Sequence, residues 1–203
     1  MSVRTISPAR PGPGRPSTGA RERILAAGLE TLLADGYAGL TTAKVAMRAG
    51  ENKALISYHF GSKQGLVTAA GRELGDRITA EVLAGLGNAR SVEKVVRGIV
   101  DGIWRILEED ARLARAYFDL NAVSVVEDEV QTVLREIKGR WRDVLSELLR
   151  DAGVPAGRIA ASAVLITAGT EGLALEWIER GETPELAQAR RMFERAAVAA
   201  IES

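Results

Sequence analysis

Cysteine is absent from this chain of 203 residues, and histidine occurs once, as His59. Without cysteine the protein can form no disulfide, no thiolate metal site and no catalytic thiolate. A lone histidine lacks both the further ligands of a zinc site and a partner nucleophile at a useful spacing. Glycine-rich phosphate loops and paired catalytic carboxylates are missing as well. We therefore expect a protein that is not an enzyme and that uses neither a metal nor a cofactor.

Long hydrophobic runs are also scarce. Charged residues interrupt the apolar stretches before the roughly 20 residues that a membrane span requires. Residues 1–19 contain no apolar segment of the kind that a secretory signal needs. We expect a cytoplasmic protein with no membrane partner, and its 46% of hydrophobic residues are enough to form a core.

An overall excess of one charge is absent, since 27 Lys and Arg balance 27 Asp and Glu. The distribution along the chain is uneven. Residues 1–70 contain nine basic and four acidic residues, whereas the remainder contains 18 basic and 23 acidic ones. A basic end on an otherwise neutral chain is a hint of contact with nucleic acid, although a weak one by itself.

Proline is concentrated at the start of the chain, where residues 1–19 contain four of the six. This segment cannot form a continuous helix or a strand ladder, and we predict a disordered arm. After it, apolar residues recur every three or four positions, and no long stretch alternates with period two. We predict an all-α fold with helices at residues 20–35, 42–49, 52–60, 63–86, 92–109, 111–126, 128–152, 156–180 and 184–201.

The two short helices on either side of Gly50 have the pattern of a helix-turn-helix. Ile56 and Phe60 lie one turn apart on the second helix, so both can face the first helix. Gly50 supplies the positive φ that the turn requires. The apolar partners on the first helix are Val45, Ala46 and Ala49. The residues left on the outer face of the second helix are Lys53, Ala54, Ser57 and Tyr58, with Leu55 at the boundary.

Several marks follow one another in residues 24–66: an apolar stripe, D-G-Y, T-T-A-K-V-A-M-R-A-G and Y-H-F-G-S-K. Together they resemble the N-terminal DNA-binding domain of the tetracycline-repressor (TetR) family of transcriptional regulators. Later residues are similar to that family only in helical layout. The resemblance implies a helix-turn-helix DNA-binding domain at residues 20–66 and a larger effector-binding and dimerisation domain at residues 67–203.

The resemblance also implies which residues meet DNA. The second helix of the motif would enter the major groove while flanking groups hold phosphates. Thr42 would bind phosphate at a helix N-terminus, and Lys63 would do so through its charge. Lys53 would donate to guanine acceptors. The residues nearest the bases would be Asn52, Lys53, Ala54 and Leu55, and those at the backbone Thr42, Lys44, Ser57, Tyr58, His59 and Lys63.

Two positions depart from the family pattern. Glu51 replaces an apolar, valine-like residue, and we expect its carboxylate either to turn to solvent or to repel phosphate. Ser57 replaces a tyrosine, which shifts part of the phosphate contact to Tyr58. Glu51 therefore leaves an alternative open, in which a helical dimer acts through protein contacts and its DNA binding is impaired.

One helix-turn-helix covers little DNA, so useful specificity normally takes two that are related by a dyad. A homodimer is expected, and the resemblance implies that the last two helices form it as a four-helix bundle. An ordinary buried helix pair within one chain is the alternative. The candidate interface residues are Leu165, Gly169, Gly172, Leu173, Trp177, Phe193 and Ala197.

Large or polar residues in the otherwise Ala-, Leu- and Val-rich middle helices are candidates to line an effector pocket, although core packing is the commoner role for each of them taken singly. They are Trp104, Tyr117, Phe118, Asn121 and Trp141. We predict a transcriptional regulator, a repressor that binds a palindromic operator in double-stranded DNA and is released by a small, largely apolar molecule. Such an effector acts only by preferring the conformation that does not fit the operator.

Overall fold

The computed structural model describes residues 19–87 and 89–203, and within them every regular element is an α-helix. The all-α prediction is confirmed. The predicted arm, apart from Gly19, lies outside the described residues, as does Asn88. The eight helices are α1 (Ala20–Gly39), α2 (Thr42–Ala49), α3 (Lys53–Phe60), α4 (Lys63–Ala84), α5 (Val92–Val123), α6 (Asp128–Asp151), α7 (Ala156–Arg180) and α8 (Pro184–Glu202).

Polar side chains begin the short helices as the sequence predicts. The hydroxyl of Thr41 accepts a hydrogen bond from the Lys44 N–H, and the Asn52 side chain accepts one from the Ala54 N–H. Ser62 caps α4 in the same way by accepting from the Gly65 N–H. Gly50 ends α2 with a φ of 66°, a left-handed conformation that glycine adopts without steric cost.

Two predicted helix ends differ from the structure. The helices predicted at residues 92–109 and 111–126 form one element, α5, which is interrupted by a non-helical Asp110. The sequence predicts that the first helix ends at residue 35, but helical residues resume after Gly36 and reach Gly39. Gly36 has a φ of 68° and is not helical, so α1 is kinked at this residue. At Gly36 the sequence predicts the end of a helix, and at Asp110 it predicts a break between two helices. In the structure each residue is a kink within one helix.

We call α1–α3 the head and α4–α8 the body. In the head, α1 packs against α2 and α3, and Ile24, Leu32, Val45 and Ile56 are fully buried between them. In the body, α5 packs against each of α4, α6, α7 and α8. The head joins the body where α1 contacts α4 and α5. A single connected hydrophobic cluster runs through both parts.

Among the described helices, α7 alone is long and apolar enough by length and composition to cross a membrane. Glu171 and Glu176 are the only charges between Arg158 and Glu179, and Glu171 interrupts the apolar run as the sequence analysis expects. One third of its most apolar stretch is buried, where α7 packs against α5, α6 and α8. The remaining apolar surface of α7 therefore needs another explanation.

Candidate nucleic-acid interface and effector cavity

The inner and outer faces of α3 are as the sequence analysis predicts. Ile56 is 1% exposed, and Phe60 is partly buried against the core. Tyr58 is 71% exposed, the clearest sign that this face of α3 has no partner within the described part of the chain. The other exposed residues of the face are Lys53, Ala54 and Ser57, and Leu55 is half-buried at its edge.

The helix N-termini beside this face are arranged to meet anions. Thr41, rather than Thr42, is the N-cap of α2, so Thr42 occupies the first helical turn and is half-buried. Asn52 caps α3, and its side-chain oxygen lies 2.9 Å from the Ala54 nitrogen that it accepts from. Amides at the start of a helix, together with the helix dipole, favour phosphate. The Thr42 and Asn52 positions therefore lie beside two such N-termini.

The two lysines predicted at the DNA backbone have different surroundings. Lys44 is half-exposed and lies 3.5 Å from the Asp35 carboxylate. Lys63, in the first turn of α4, places its Nζ 5.0 Å from the centre of the Tyr37 ring. A lysine held over an aromatic face keeps its hydrogen-bond donors available on the other side. Lys63 is thus held in place without an ion pair to a carboxylate of the described residues.

The sequence analysis places His59 against the DNA backbone. Its Nε2 is buried and has no hydrogen-bond partner among the described residues. The ring instead lies edge-on between Tyr58 and Phe60, with ring centres 4.9 and 6.4 Å away. The buried Nε2 and the two ring contacts indicate that His59 packs within the head, and its contact with the DNA backbone stays a prediction.

Glu51 takes neither of the two orientations expected from the sequence. It turns back toward α1 and accepts hydrogen bonds from the Arg23 guanidinium, with its carboxylate oxygen 3.0 Å from Nε. The Glu51 side chain is only 11% exposed. Arg23 therefore compensates the negative charge beside the outer face of α3. This pairing removes the reason given by the sequence for impaired DNA binding.

Tyr37 lies at the junction of head and body, directly after the kink at Gly36. Its backbone N–H donates to the Asp119 carboxylate of α5 over 2.5 Å, and its hydroxyl donates to the Glu127 carboxylate that precedes α6. Burial, followed by the Glu127 carboxylate, raises the pKa of Tyr37 to about 12. The hydroxyl therefore stays protonated and remains a donor at neutral pH.

A cavity of about 90 Å³ lies among the body helices. Tyr117, Phe118 and Trp141 line it, as the sequence analysis proposes. Trp104 and Asn121 lie outside the lining. Trp104 is buried and donates from Nε1 to Glu182, while the Asn121 amide donates to the Tyr117 carbonyl. The other lining residues come from α4 to α7 and include Gly75, Ile78, Thr79, Val82, Ile99, Ile103, Ile106, Ala114, Ile137, Lys138, Thr167, Thr170, Glu171 and Ala174.

The polar groups around this cavity bind one another. The Tyr117 hydroxyl lies 2.6 Å from one carboxylate oxygen of Glu171, and Lys138 lies 3.6 Å from the other. Burial and the Glu171 carboxylate raise the pKa of Tyr117 well above its usual value. Trp141 donates from Nε1 to Thr167 over 3.2 Å. An occupant would therefore meet a mainly apolar wall whose polar groups already have partners.

The apolar surface that the chain leaves uncovered on α7 has a regular spacing. Leu165 and Gly172 are exposed, together with Ala161, Ala168 and Leu175. These positions are three and four residues apart, so they form one stripe along the helix. On α8 the large exposed apolar residue is Met192, at 54%.

The other interface candidates pack within the chain. A Cβ on Gly169 would lie 2.1 Å from the Phe193 ring, so the ring sits directly on that glycine. Ala197 is 2% exposed. Leu173 and Trp177 are partly buried against the core. For these five residues the structure shows the within-chain packing that the sequence analysis left open as the alternative.

Sequence reasoning missed three groups of residues at these sites. Arg23 and Tyr37 were not singled out, because their partners Glu51, Asp119 and Glu127 are distant in the sequence. Lys138, Thr170 and Glu171 of the cavity were also missed. Thr170 and Glu171 interrupt the most apolar helix of the chain, and that interruption was a usable signal. In the described part of the chain no three His or carboxylate residues come together as a metal site.

Comparison with protein families gives two matches. Residues 24–70 match the family described as "Bacterial regulatory proteins, tetR family". Residues 89–202, more than half of the chain, match the family described as "BetI-type transcriptional repressor, C-terminal". The first match covers the helix-turn-helix, and the second covers most of the body.

Relatives and solved structures agree with these matches. The chain is 30% identical over 125 residues to HTH-type transcriptional regulator BetI 1 of Chromohalobacter salexigens, and the alignment covers 60% of each protein. It is 26% identical over 159 residues to HTH-type transcriptional activator FasR of Mycolicibacterium smegmatis, covering 78% of this chain and 72% of FasR. The crystal structure of a TetR-family transcriptional regulator from Rhodococcus sp. has a TM-score of 0.76 at 25% identity, covering 92% of this chain and 100% of the other.

Proposed function

Because the chain belongs to the tetR family of bacterial regulatory proteins and is a DNA-binding transcriptional regulator, we propose that it is a repressor that binds a palindromic operator as a homodimer and leaves it when a small apolar effector binds. Its relatives are regulators, which indicates a regulatory rather than a catalytic role. Such a protein works where the chromosome is, in the cytoplasm. The observation that carries the proposal is the exposed outer face of α3.

In this proposal residues 20–66 are the DNA-binding domain. Lys53, Ala54 and Leu55 approach the base edges, where Lys53 donates to guanine and the apolar groups meet thymine methyl groups. Phosphates are held from both sides of α3. The proposed phosphate contacts are Thr42, Lys44, Ser57, Tyr58 and Lys63, and Asn52 lies between the two sets. His59 supports α3 from its inner side.

Residues 67–203 are then the dimerisation and effector domain. The uncovered stripe of α7, which includes Leu165 and Gly172, is the proposed centre of a two-fold interface, with Met192 of α8 beside it. Leu165 is 40% exposed and Met192 is 54% exposed in the single chain, so a second copy would remove substantial apolar surface from water. Gly172 has no atom within 4 Å of the position of an added Cβ, which leaves room for close approach.

The cavity is the proposed effector site. Tyr117, Phe118 and Trp141 present aromatic surface to it. An apolar cavity of roughly 150 Å³ accepts a benzene molecule, and the cavity here is about 90 Å³. An effector of drug-like size must therefore push the surrounding helices apart. That displacement is what allows binding in the body to disfavour the conformation that fits DNA.

The repressor role is favoured by the C-terminal family match, whose description names a repressor. Activation is the second candidate, because FasR is described as an activator. The two roles share the same DNA-binding head, and they differ in whether bound protein lowers or raises transcription. A reporter gene placed behind the bound sequence distinguishes them: the proposal requires that deleting the regulator raise expression.

DNA binding itself is tested by selecting duplexes from a random library with the full-length protein and measuring their retention in a gel shift. We expect enrichment of an inverted repeat with half-sites about one helical turn apart or a multiple of it. Affinity should fall steeply with salt, because phosphate contacts release counterions. Weak binding at low salt without any sequence preference would instead support a dimer that acts through protein contacts.

A further inference from the structure

Among the proposed phosphate contacts, Lys63 is the one whose ammonium group lies over an aromatic ring. Its Nζ lies over the Tyr37 ring, 5.0 Å from the centre of that ring. A lysine on a flexible stem samples many rotamers, and ordering it at a phosphate has an entropic cost. The aromatic ring restricts the ammonium group already in the free protein. Less entropy is therefore lost when Lys63 binds a phosphate.

Two carboxylates of the body in turn hold Tyr37. Its backbone N–H donates to Asp119 of α5, and its hydroxyl donates to Glu127 at the start of α6. Gly36 allows this close approach, since a Cβ at that position would lie 2.8 Å from the Asp119 carboxylate. The position of Tyr37, over whose ring Lys63 lies, thus depends on two carboxylates of the body, Asp119 and Glu127.

One of these carboxylates is adjacent in sequence to residues of the cavity wall. Asp119 follows Tyr117 and Phe118 in α5, and both of these residues line the cavity. Because α5 is helical there, movement of one of these residues also moves its neighbours. A displacement of Tyr117 or Phe118 at the cavity wall would therefore also displace Asp119, whose carboxylate accepts the hydrogen bond from the Tyr37 backbone.

We propose that Tyr37 is a positioning residue for Lys63, and that Asp119 and Glu127 make the placement of that phosphate contact depend on the arrangement of α5 and α6. This inference rests on the proposed function, because it assumes that Lys63 meets DNA. It adds a specific residue through which the body controls the head. Tyr37 itself does not contact the base edges, so its loss weakens binding to all sequences alike.

The test uses full-length variants and the duplex that the wild-type protein selects from a random library. Lys63→Ala should lower the magnitude of the salt dependence by about 0.9 for each phosphate that is no longer neutralised, or about 1.8 for a dimer. Tyr37→Leu should lower it in the same direction. In the Lys63→Ala background, Tyr37→Leu should change Kd by less than about twofold, because the group that it positions is already absent.

A purely structural role for Tyr37 predicts something different. Tyr37→Leu would then weaken binding equally in both backgrounds and leave the salt dependence unchanged, which would overturn the proposal. Circular dichroism and thermal melting show whether this variant folds. If it does not fold, Tyr37→Phe and Glu127→Ala keep the ring and remove only the hydrogen bond that anchors it. Each should raise Kd about three- to tenfold, and the double variant should be no worse than either alone.

The matched control is Glu136→Ala. Glu136 lies on the body surface, where it binds Arg72, so this variant removes the same unit of negative charge without touching Tyr37. Removing an acidic charge alone strengthens DNA binding slightly, so weaker binding by Glu127→Ala but not by Glu136→Ala supports the proposal. If both variants bind like wild type, the proposal is wrong while the proposed function stands. If the wild-type protein selects no DNA sequence, both are wrong.

Discussion

At the scale of single residues, the structure shows how the acidic side chain of Glu51 is accommodated at a position where the family pattern has an apolar residue. Glu51 would place an acidic group beside phosphate if it faced outward, but Arg23 of α1 binds it over 3.0 Å and leaves it 11% exposed. A second arginine reaches the same region, since the Arg21 guanidinium lies 5.5 Å from the centre of the Phe60 ring. The start of α1 thus holds the turn and α3 through two cations.

We predict that Arg23→Gln weakens DNA binding severalfold, because the Glu51 carboxylate is then without its strongest partner and repels phosphate. Stability should fall by about 1 kcal/mol, the usual scale for a partly exposed ion pair. Glu51→Gln in the same background should restore DNA affinity. Fluorescence anisotropy with the selected duplex and denaturant unfolding measure the two effects. Equal affinity in Arg23→Gln and wild type would show that Glu51 does not influence DNA.

The two lysines of the interface have separable roles. We predict that Lys53→Ala changes the base preference at one position of each half-site, with a cost of about 1–3 kcal/mol at the preferred base. Lys63→Ala should weaken binding to all duplexes about equally, since phosphate carries no sequence information. Repeating the duplex selection with each variant measures both outcomes. The same loss of specificity in both variants would contradict this division of roles.

At the scale of elements, α4 connects the head to the cavity. Its first turn carries Lys63, and farther along it crosses α6 with little separation. An added Cβ would lie 3.0 Å from Val133 at Gly71 and 2.8 Å from Ile137 at Gly75. Close packing of this kind transmits displacement because the interior cannot be compressed. We therefore expect that separation of α4 from α6 at the cavity moves the end of α4 that carries the proposed phosphate contact Lys63.

We predict that Gly75→Ala forces α4 and α6 apart and acts as a partial substitute for an effector. Overpacking of one methyl group should lower stability by about 1–3 kcal/mol, and DNA affinity should fall severalfold. Gly139→Ala in α6 is the control, because no atom lies within 4 Å of the position of its Cβ. That substitution should raise stability by about 0.5–1 kcal/mol without changing DNA affinity. Unaltered DNA binding by a folded Gly75→Ala protein would argue against α4 as the connection.

At the scale of the whole molecule, the exposed apolar stripe of α7 has the spacing of a helix seam, yet no helix of the described chain covers it. The within-chain contact of α7 with α8 uses Gly169 and Phe193, which leaves the neighbouring stripe exposed among the described residues. A second copy related by a two-fold axis would cover the stripe with the same stripe. The two heads would then be fixed at one separation, as a palindromic operator requires.

We predict that Leu165→Glu converts the dimer to a monomer, because it places two like charges at the centre of the interface. Light scattering after size-exclusion chromatography measures the mass, and operator affinity should fall at least about tenfold. Val125→Glu is the matched control: Val125 is 81% exposed and lies between α5 and α6, away from the stripe. A dimer that persists in Leu165→Glu, or one that Val125→Glu disrupts, would place the interface elsewhere.

The sequence by itself determined the elements of this protein and the two faces of α3. Helix-forming periodicity and glycine positions depend on neighbours a few residues away, so the roles of Gly50, Ile56 and Phe60 could be assigned without coordinates. The family resemblance rested on the same local marks. Most of the helix boundaries followed from this information, and the kinked joints at Gly36 and Asp110 were the exceptions.

Only the tertiary structure decided how distant residues are paired. Arg23 with Glu51, Tyr37 with Asp119 and Glu127, and Tyr117 with Glu171 are separated by 28 to 90 positions, and no local pattern connects them. The same holds for the exclusion of Trp104 from the cavity and for the inward Nε2 of His59. Side-chain partners depend on how helices cross, and a crossing depends on the packing of the whole core. A local sequence pattern therefore shows which residues are available for contact, while the fold determines which of them meet.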